Sequence, residues 1–148
     1  MSNDVTEAQE SKRWLYSVLH GDTYIESQVA DRIYDSYVPE DPEDREFPYI
    51  LYNFMGGLDI DALGTNRLLS QPLFQVRVVC EGRPDAAVRK VDKRIDDVLQ
   101  NTVYQPSGDY YFSARREQPV DRSEMDTSTG KYYSNLGGLY RLYIGRTV

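Results

Sequence analysis

Residues 59–64 read Asp-Ile-Asp-Ala-Leu-Gly and are the part of the sequence most similar to a metal-binding loop. A calcium loop needs oxygen ligands at alternate positions, a glycine at the sixth position and a bidentate glutamate at the twelfth. Here Leu63 takes the fifth position and Ser70 the twelfth, so two ligands are missing. We therefore interpret the segment as an acidic hairpin tip and expect no metal site.

Cys80 and His20 are the only cysteine and the only histidine of the chain. Nucleophilic catalysis by a thiol needs a base that activates it. Cys80 lies on the apolar side of a predicted strand, where a thiol acts as a small hydrophobe, and His20 ends a predicted helix with no cysteine or clustered carboxylate nearby. One Cys and one His also exclude an intramolecular disulfide and a single-chain structural zinc site.

Paired acidic residues and paired glycines do not indicate an acid–base pair or a phosphate loop either. The carboxylates of Asp96-Asp97 and Glu43-Asp44 are adjacent in sequence and project in different directions, whereas acid–base pairs need converging carboxylates. Gly56-Gly57 and Gly137-Gly138 lack the strand-to-helix context and the lysine of a phosphate loop, so flexibility or close packing explains them better. The sequence predicts no catalytic, cofactor-binding or metal-binding residue and therefore no enzyme.

The composition predicts one folded, acidic domain over residues 1–148. The formal net charge is −7, and Leu, Ile, Val and Phe make up 35 of the 148 residues, enough for a core. The chain lacks the dense Lys/Arg surface that grips DNA or anionic lipid without sequence specificity. It also has no apolar run of about 18 residues that could cross a bilayer and no signal-like start. We expect Met1–Val5 to be a flexible arm.

Two helices and four strands are predicted from periodicity. Apolar residues recur every three or four positions in the helices and alternate in the strands. The helices are predicted at Thr6–His20 and from Pro84 to Leu99, and the strands at Phe47–Met55, Leu73–Glu81, Tyr110–Arg116 and Leu139–Ile144. The order predicts an α+β fold: a mostly antiparallel sheet of four or slightly more strands with the helices on one face.

Four segments between these elements are less regular. Ile25–Tyr37 allows at most a short helical turn, and the acidic Val38–Phe47 predicts a solvated loop. Leu58–Gln71 has too many apolar residues for a solvent-exposed connecting loop, so it either extends both strands of a hairpin or docks on another chain. Glu117–Lys131 predicts a long mobile loop or a long hairpin tip.

The 13 tyrosines are the unusual feature of the composition. Tyrosine combines a large apolar area with a hydrogen-bonding tip, which suits surfaces that another protein half buries. Alternatively, a thin sheet uses tyrosines for cross-strand pairs. Stacking on nucleic-acid bases is disfavoured because it depends on a basic groove.

The order of elements resembles the tail terminator, or tail completion, proteins of long-tailed bacteriophages over about residues 6–146. The similarity is carried by a leading helix, an amphipathic central helix and a few short sequences. These sequences are Arg32-Ile33-Tyr34, Val38-Pro39, Phe47-Pro48-Tyr49-Ile50-Leu51-Tyr52, Phe74-Gln75-Val76-Arg77-Val78 and Tyr140-Arg141-Leu142-Tyr143-Ile144. The acidic loop and the long Glu117–Lys131 segment depart from the family pattern.

The resemblance implies a ring-forming subunit, usually one of six. Such a ring binds the last ring of the tail tube, stops tube growth and joins the tail to neck and head-completion proteins, with a sheath beside it if the tail contracts. The ring is assembled in the host cytoplasm and belongs to the virion, and DNA passes through its lumen without specific binding. No cofactor or membrane is implied.

Candidate interface residues follow from combining this role with the apolar and tyrosine-rich segments. The subunit or tube interface is predicted at Met55, Leu58, Ile60, Leu63, Arg67, Leu68, Leu69, Tyr110, Tyr132 and Tyr133. Acidic residues of the lumen or of loops are predicted at Glu40, Asp41, Glu43, Asp44, Asp121, Glu124 and Asp126. An acidic lumen would repel the DNA backbone and let it slide.

Three other functions stay open at this point. A head-completion or neck adapter protein would share the ring and the small size but would bind the portal side. A small carboxylate-based hydrolase would need converging acids in a pocket. An acidic module that occupies the site of a DNA-binding protein would bind its basic partner with strong salt dependence.

Overall fold

The computed structural model describes residues 7–38, 46–61, 67–100, 105–107 and 110–146, which form an α+β fold. The helices in these ranges are α1 (Glu7–His20), α2 (Thr23–Val29) and α3 (Ala86–Gln100). The strands are β1 (Ile33–Asp35), β2 (Tyr49–Asp61), β3 (Arg67–Glu81), β4 (Gln105–Ser107), β5 (Tyr110–Met125) and β6 (Tyr132–Arg146). No helix in this part of the chain is long and apolar enough to span a membrane.

The six strands form one mixed sheet in the order β1-β2-β3-β6-β5-β4. Two long hairpins, β2–β3 and β5–β6, lie side by side, and β3 pairs antiparallel with β6 at the centre. The short β1 runs parallel to the start of β2, and β4 pairs antiparallel with the start of β5. The predicted mostly antiparallel sheet is confirmed, with β1 and β4 added at its sides.

Alternation along the strands separates the two faces of the sheet. On β3, Phe74, Val76 and Val78 are fully buried and face the helices. Arg77 and Val79 point to the opposite face, which no helix in the described ranges covers. The predicted packing of the helices on one face is confirmed.

Helix α3 presents one apolar stripe to the sheet. Val91, Ile95 and Leu99 are fully buried, and their spacing of four residues keeps them on one side of the helix. The Asp85 carboxylate accepts a hydrogen bond of 2.9 Å from the backbone N–H of Val88, which caps the helix start. The sequence therefore determines both the position of this helix and the side that it buries.

Helix α2 is held by a buried carboxylate that has two roles. Asp22 accepts hydrogen bonds from the backbone N–H groups of Tyr24 and Ile25, and it forms an ion pair with Arg94 of α3. Burial acts to raise the pKa of Asp22, but the Arg94 hydrogen bond and charge and the two N–H groups outweigh it and lower the pKa. Asp22 therefore stabilises the α2–α3 contact in its charged form.

A smaller apolar cluster lies on the face away from the helices. Tyr49, Leu51 and Val79 form its buried centre, and Phe47 and Tyr133 pack against them. The rings of Phe47 and Tyr133 are stacked with their centroids 5.4 Å apart. This cluster covers one end of the open face.

Several segment predictions are corrected or resolved. Of the two alternatives for Glu117–Lys131, the structure has the long hairpin and not a mobile loop, because the strand after Tyr110 continues past Arg116 to Met125 and pairs with β6. Its register shifts between Arg116 and Gln118, where a bulge interrupts the period-two pattern that sequence analysis relies on. Of the two alternatives for Leu58–Gln71, the structure has the extended hairpin, with strand pairing out to Asp61 and Arg67.

One glycine of each pair allows two backbones to pack closely. A Cβ atom on Gly57 would lie 2.7 Å from the Cα of Pro72, and one on Gly137 would lie 2.6 Å from the Cα of Arg77. Gly56 has a φ of +117° at a register shift in β2, a conformation that side chains rarely adopt. Close packing at Gly57 and Gly137 and backbone freedom at Gly56 account for the glycines without any ligand.

Candidate assembly surfaces

Residues with catalytic potential are separated from one another in the structure. Over the described ranges, no three His, Cys, Asp or Glu side chains converge in a way that could hold a metal ion. Cys80 is buried, which raises the pKa of its thiol and keeps it protonated at neutral pH. His20 lies 3.1 Å from the carboxylate of the exposed Asp31 and stacks on Tyr16.

The adjacent carboxylates of α3 face different partners. Asp96 accepts a hydrogen bond of 3.1 Å from the Tyr140 hydroxyl, and Asp97 forms an ion pair of 3.4 Å with Lys93. Burial, together with the charge of Asp96, raises the pKa of Tyr140. Burial also raises the pKa of Asp92, against the nearby charge of Arg116 and with that of Asp96. Asp92, Asp96 and Tyr140 lie between the helix and the sheet, whereas Asp97 pairs with Lys93 at the surface, so these groups form no open acid–base pair.

The β2–β3 hairpin carries most of the predicted interface residues. Leu58 and Ile60 lie in β2, and Arg67, Leu68 and Leu69 lie in β3, where the structure describes the backbone. Leu63 lies outside the described residues. Met55 is 51 % exposed, and the neighbouring Phe54, which sequence analysis missed, is 45 % exposed. Both lie beyond Tyr52, where β1 ends and β2 becomes an outer strand of the described sheet.

The three predicted interface tyrosines have different environments. Tyr132 is 57 % exposed at the tip of the β5–β6 hairpin, and Tyr133 is half-buried in the cluster of the open face. Tyr110, in contrast, is 1 % exposed and packs in the main core near Phe112. In this conformation the Tyr110 side chain is not accessible to another protein, so we remove it from the candidate interface.

The predicted acidic residues fall into two groups. Glu40, Asp41, Glu43 and Asp44 lie outside the described residues. Asp121 and Glu124 are exposed on β5, and their pairing with Leu136 and Tyr133 puts Asp121 on the helix side of the sheet and Glu124 on the open side. Asp126 accepts hydrogen bonds from the backbone and hydroxyl of Ser128, which lower its pKa and fix the turn. Of the acids that the structure describes, Asp121 therefore lies on a different face of the sheet from Glu124.

A cavity of about 260 Å³ opens on the uncovered face of the sheet. Phe47, Tyr49 and Tyr133 form its aromatic side, and Glu124 and Asp126 lie at its other side, near the tip of the β5–β6 hairpin. Arg77 from the central strand β3 also lines it. Its volume lies just below the range of about 300–1,000 Å³ that is typical of pockets for drug-sized ligands.

Among the described residues, Arg77 is the one cationic side chain that lines this cavity, and the sequence analysis missed it. Its Nε and Nη1 atoms are buried and have no hydrogen-bond partner among the described residues. Burial and the charge of Arg122 lower the pKa of the guanidinium, while Glu124 and Tyr49 act in the opposite direction. The only sequence signal was a charged residue between Val76 and Val78 in a strand of alternating apolar and polar residues.

The comparisons with known proteins give a likeness in fold. No family model matches the chain, and no curated protein does. A solved structure described as the virion of a native gene transfer agent particle contains a chain of similar fold, with a TM-score of 0.55 and 14 % sequence identity. The similarity covers 88 % of this chain and 91 % of that one. At this level of identity, the likeness establishes the fold alone.

Proposed function

We propose that the chain is a structural virion protein that forms a ring on the head-proximal end of a phage tail tube. The ring, of six subunits, ends tube polymerisation and forms the joint to the neck. The likeness to a virion chain over nearly the whole length of both proteins carries this proposal. The element order that resembles tail terminator proteins supports it independently.

The exposed edges of the sheet suit a subunit that closes a ring. A ring needs a heterologous contact, in which two different patches of each subunit meet. Beyond Tyr52, β2 forms one outer edge of the described sheet, and beyond Phe112, β5 forms the other. Phe54 and Met55 are exposed on the first edge and Met125 on the second. Each side of the subunit thus offers its own apolar contact.

The charge of the chain suits a channel for DNA. Six copies, each with a formal charge of −7, would carry −42. A negative channel repels the phosphate backbone, so DNA moves through without being held. We assign the inner surface to acidic segments, with Glu124 the described candidate on the open face.

Light scattering on the purified protein, followed by electron microscopy with and without tail tubes, tests the proposal. We expect a mass near six times 17.1 kDa, or a monomer that forms rings only on tube ends. A compact monomer that ignores tubes would overturn the proposal. Rings that bind purified portal or neck proteins but never tube ends would instead identify a neck adapter.

A redesigned hairpin tip tests where the tube binds. Met125 and Tyr132 are directly paired, so replacing Asp126–Lys131 with Asn-Gly joins them through a two-residue turn without changing the register. We expect this variant to fold with an unchanged melting temperature and to lose capping, which an assembly assay would show as overlong tubes. The matched control, Ser128→Ala, removes one hydroxyl from the same tip and should still cap. Tubes of normal length with the shortened tip would exclude it from tube binding.

A further inference from the structure

The hydrogen-bond ladders of the sheet are interrupted along one line that crosses β2 and β3. The register of β2 shifts between Phe54 and Gly56, where a bulge inserts one residue and Gly56 has a φ of +117°. On the adjacent strand, β3 contains Pro72, which has no N–H to donate. Pro72 keeps its pairing with Gly57 of β2, but in the described sheet neither Pro72 nor Gln71 pairs with β6. The missing N–H therefore lies on the β6 side of β3.

This line divides the β2–β3 hairpin into two parts. We call the part beyond the line, Gly57–Asp61 with Arg67–Gln71, the hairpin arm. The buried core on the helix side includes Tyr52 of β2 and Phe74 of β3, but none of its described members lies in the hairpin arm. A bulge and a proline on adjacent strands also leave the ladders weakest at the base of the arm. The line therefore has the features of a hinge, where a few residues absorb a change in backbone angle.

Arg141 of β6 bridges the interruption on the open face. Its side chain lies on that face because Tyr140 and Leu142, on either side of it, are fully buried in the main core. Its Nη1 donates a hydrogen bond of 3.0 Å to the carbonyl oxygen of Gln71, and its Nε donates one of 2.6 Å to Oε1 of Glu117. Glu117 lies in the bulge of β5, on the other side of β6. One charged side chain thus connects three strands where the backbone ladder between β3 and β6 is broken.

We propose that the line through Gly56 and Pro72 is a hinge for the hairpin arm and that Arg141 is the latch that holds the arm in position. Opening of the latch lets the arm bend as a unit. The pairing of β2 with β3 inside the arm is kept, and the short ladder that joins the arm to β6, which includes the pair Ser70–Ile144, is lost. The hinge and the latch belong to the single subunit.

The hairpin arm carries five of the predicted interface residues, so its angle determines where they meet a partner. These residues are Leu58, Ile60, Arg67, Leu68 and Leu69. A latch that holds the arm in place before contact reduces the entropy that is lost on association. This consequence for assembly rests on the ring proposed above.

Hydrogen exchange resolved to single amides distinguishes bending of the arm from general loosening of the sheet. Successive residues of an antiparallel strand direct their N–H groups to opposite neighbours. Because the Pro72 nitrogen faces β6, the Ser70 amide reports on the ladder to β6 and the Gln71 amide on the ladder to β2. The Ile144 amide reports on the same ladder as Ser70, from the β6 side. The Val76 amide lies in the β3–β6 ladder on the other side of the hinge.

Arg141→Met tests the latch by removing both of its hydrogen bonds. We expect the Ser70 and Ile144 amides to exchange at least about tenfold faster than in wild type, because the arm separates from β6. The Gln71 and Val76 amides should keep their rates. Equal acceleration of all four amides would show general destabilisation and overturn the inference, and so would unchanged rates at Ser70 and Ile144.

Two further variants control this test. Arg115→Met is the matched control, because Arg115 is exposed and lies opposite Arg141 on β5, and it should exchange as the wild type does. Glu117→Ala covers the case in which Arg141→Met does not fold, since it removes one latch contact at an exposed position. We expect the Ser70 amide of Glu117→Ala to exchange about threefold faster than in wild type. An unchanged rate there would overturn the latch.

Pro72→Ala tests the hinge by adding an N–H on the β6 side of β3. Combined with Arg141→Met, it should return the exchange of the Ser70 amide to within about threefold of the wild-type rate, because the ladder to β6 becomes continuous. If the double variant exchanges as fast as Arg141→Met alone, the interruption at Pro72 is not the hinge and the inference is wrong.

Assembly of Arg141→Met separates the inference from the proposed function. Where wild type forms rings on tube ends, we expect Arg141→Met to form them about tenfold less readily, because its arm is no longer held in place. Wild-type protein that never forms rings overturns the proposed function but leaves the hinge and the latch intact, since exchange is measured on the purified chain. Equal ring formation by both proteins would overturn the link between the latch and assembly.

Discussion

The two faces of the sheet differ in how completely the subunit covers them. On one face, three helices cover a continuous core that contains Trp14, Phe74 and Phe112, each no more than 3 % exposed. On the other face, the apolar cluster has three buried residues, and next to it lies a cavity with an unsatisfied arginine. The first face is covered within one chain, whereas the second keeps an open cavity, which suits the assembly proposed above.

This difference separates residues that stabilise the subunit from residues that are available for assembly. Burial of large apolar side chains dominates the stability of a domain, so substitutions on the helix side should act mainly on folding. Residues on the open face bury less surface in the subunit and should act mainly on association. Paired substitutions on the two faces test this separation.

The largest expected effect is that of Phe112→Ala. Phe112 is 1 % exposed and stacks on Trp14 at a centroid distance of 5.0 Å, so its loss leaves a cavity in the main core. We expect the free energy of unfolding to fall by about 3–5 kcal/mol, measured by urea denaturation. Phe47→Ala, on the open face, removes a half-buried ring and should cost only about 1 kcal/mol. Equal losses for the two variants would contradict the proposed division between the faces.

The next effect concerns the junction between the two hairpins. A methyl group on Gly137 would meet the backbone of Val76 and Arg77, so Gly137→Ala must push β3 and β6 apart. We expect a loss of about 2–3 kcal/mol, or roughly 5–10 °C in melting temperature. Gly145→Ala on the same strand meets no atom within 4 Å and should change stability by less than about 0.5 kcal/mol. Similar melting temperatures for both variants would show that the strands are not tightly apposed at Gly137.

The smallest effect is expected for Asp92→Asn, measured as a function of pH. Because burial raises the pKa of Asp92 in the folded state, folding favours its protonated form. Wild type therefore gains stability from this group as the pH falls through the raised pKa, and the gain is complete below the unfolded pKa of about 3.9. Asp92→Asn should be more stable than wild type by about 1 kcal/mol at neutral pH and equal to it near pH 3.

The matched control for that variant is Asp97→Asn on the same helix. Asp97 forms only a surface ion pair with Lys93, so its removal should slightly lower stability or leave it unchanged at neutral pH. A neutral-pH stability gain that is equal in both variants would show general relief of negative charge, and not a specific effect of burial at Asp92.

Much of the fold could be predicted because its main elements have simple periodicities. The stripe of Val91, Ile95 and Leu99 predicted α3, and the alternation of Phe74, Val76 and Val78 predicted β3. The continuation of β5 past Arg116 was missed because the bulge reverses the alternation and the later residues are exposed on both faces. The strands β1 and β4 have three residues each, too few for any periodicity to show.

The candidate assembly surfaces were less predictable because surfaces depend on register. Met55 and Tyr132 were predicted as interface residues because of their residue type, and both are exposed. Tyr110 was chosen for the same reason but lies in the core. The Arg77 cavity forms only when β6 brings Gly137 opposite Arg77 and Tyr133 beside Phe47. Arg77 and Gly137 are 60 positions apart and Phe47 and Tyr133 are 86 apart, so no local pattern could predict the cavity.

The pairing of β3 with β6 also determines how the subunit must be made. It joins residues as distant as Leu69 and Gly145, so the centre of the sheet cannot form before nearly all of these strands are available. Such non-local pairing slows folding, because the entropy of closing a long loop is lost before the contact forms. The hairpins β2–β3 and β5–β6 each pair strands that are close in sequence, whereas the contact that joins the two hairpins is non-local. A newly made chain would therefore be unable to assemble until this pairing has formed.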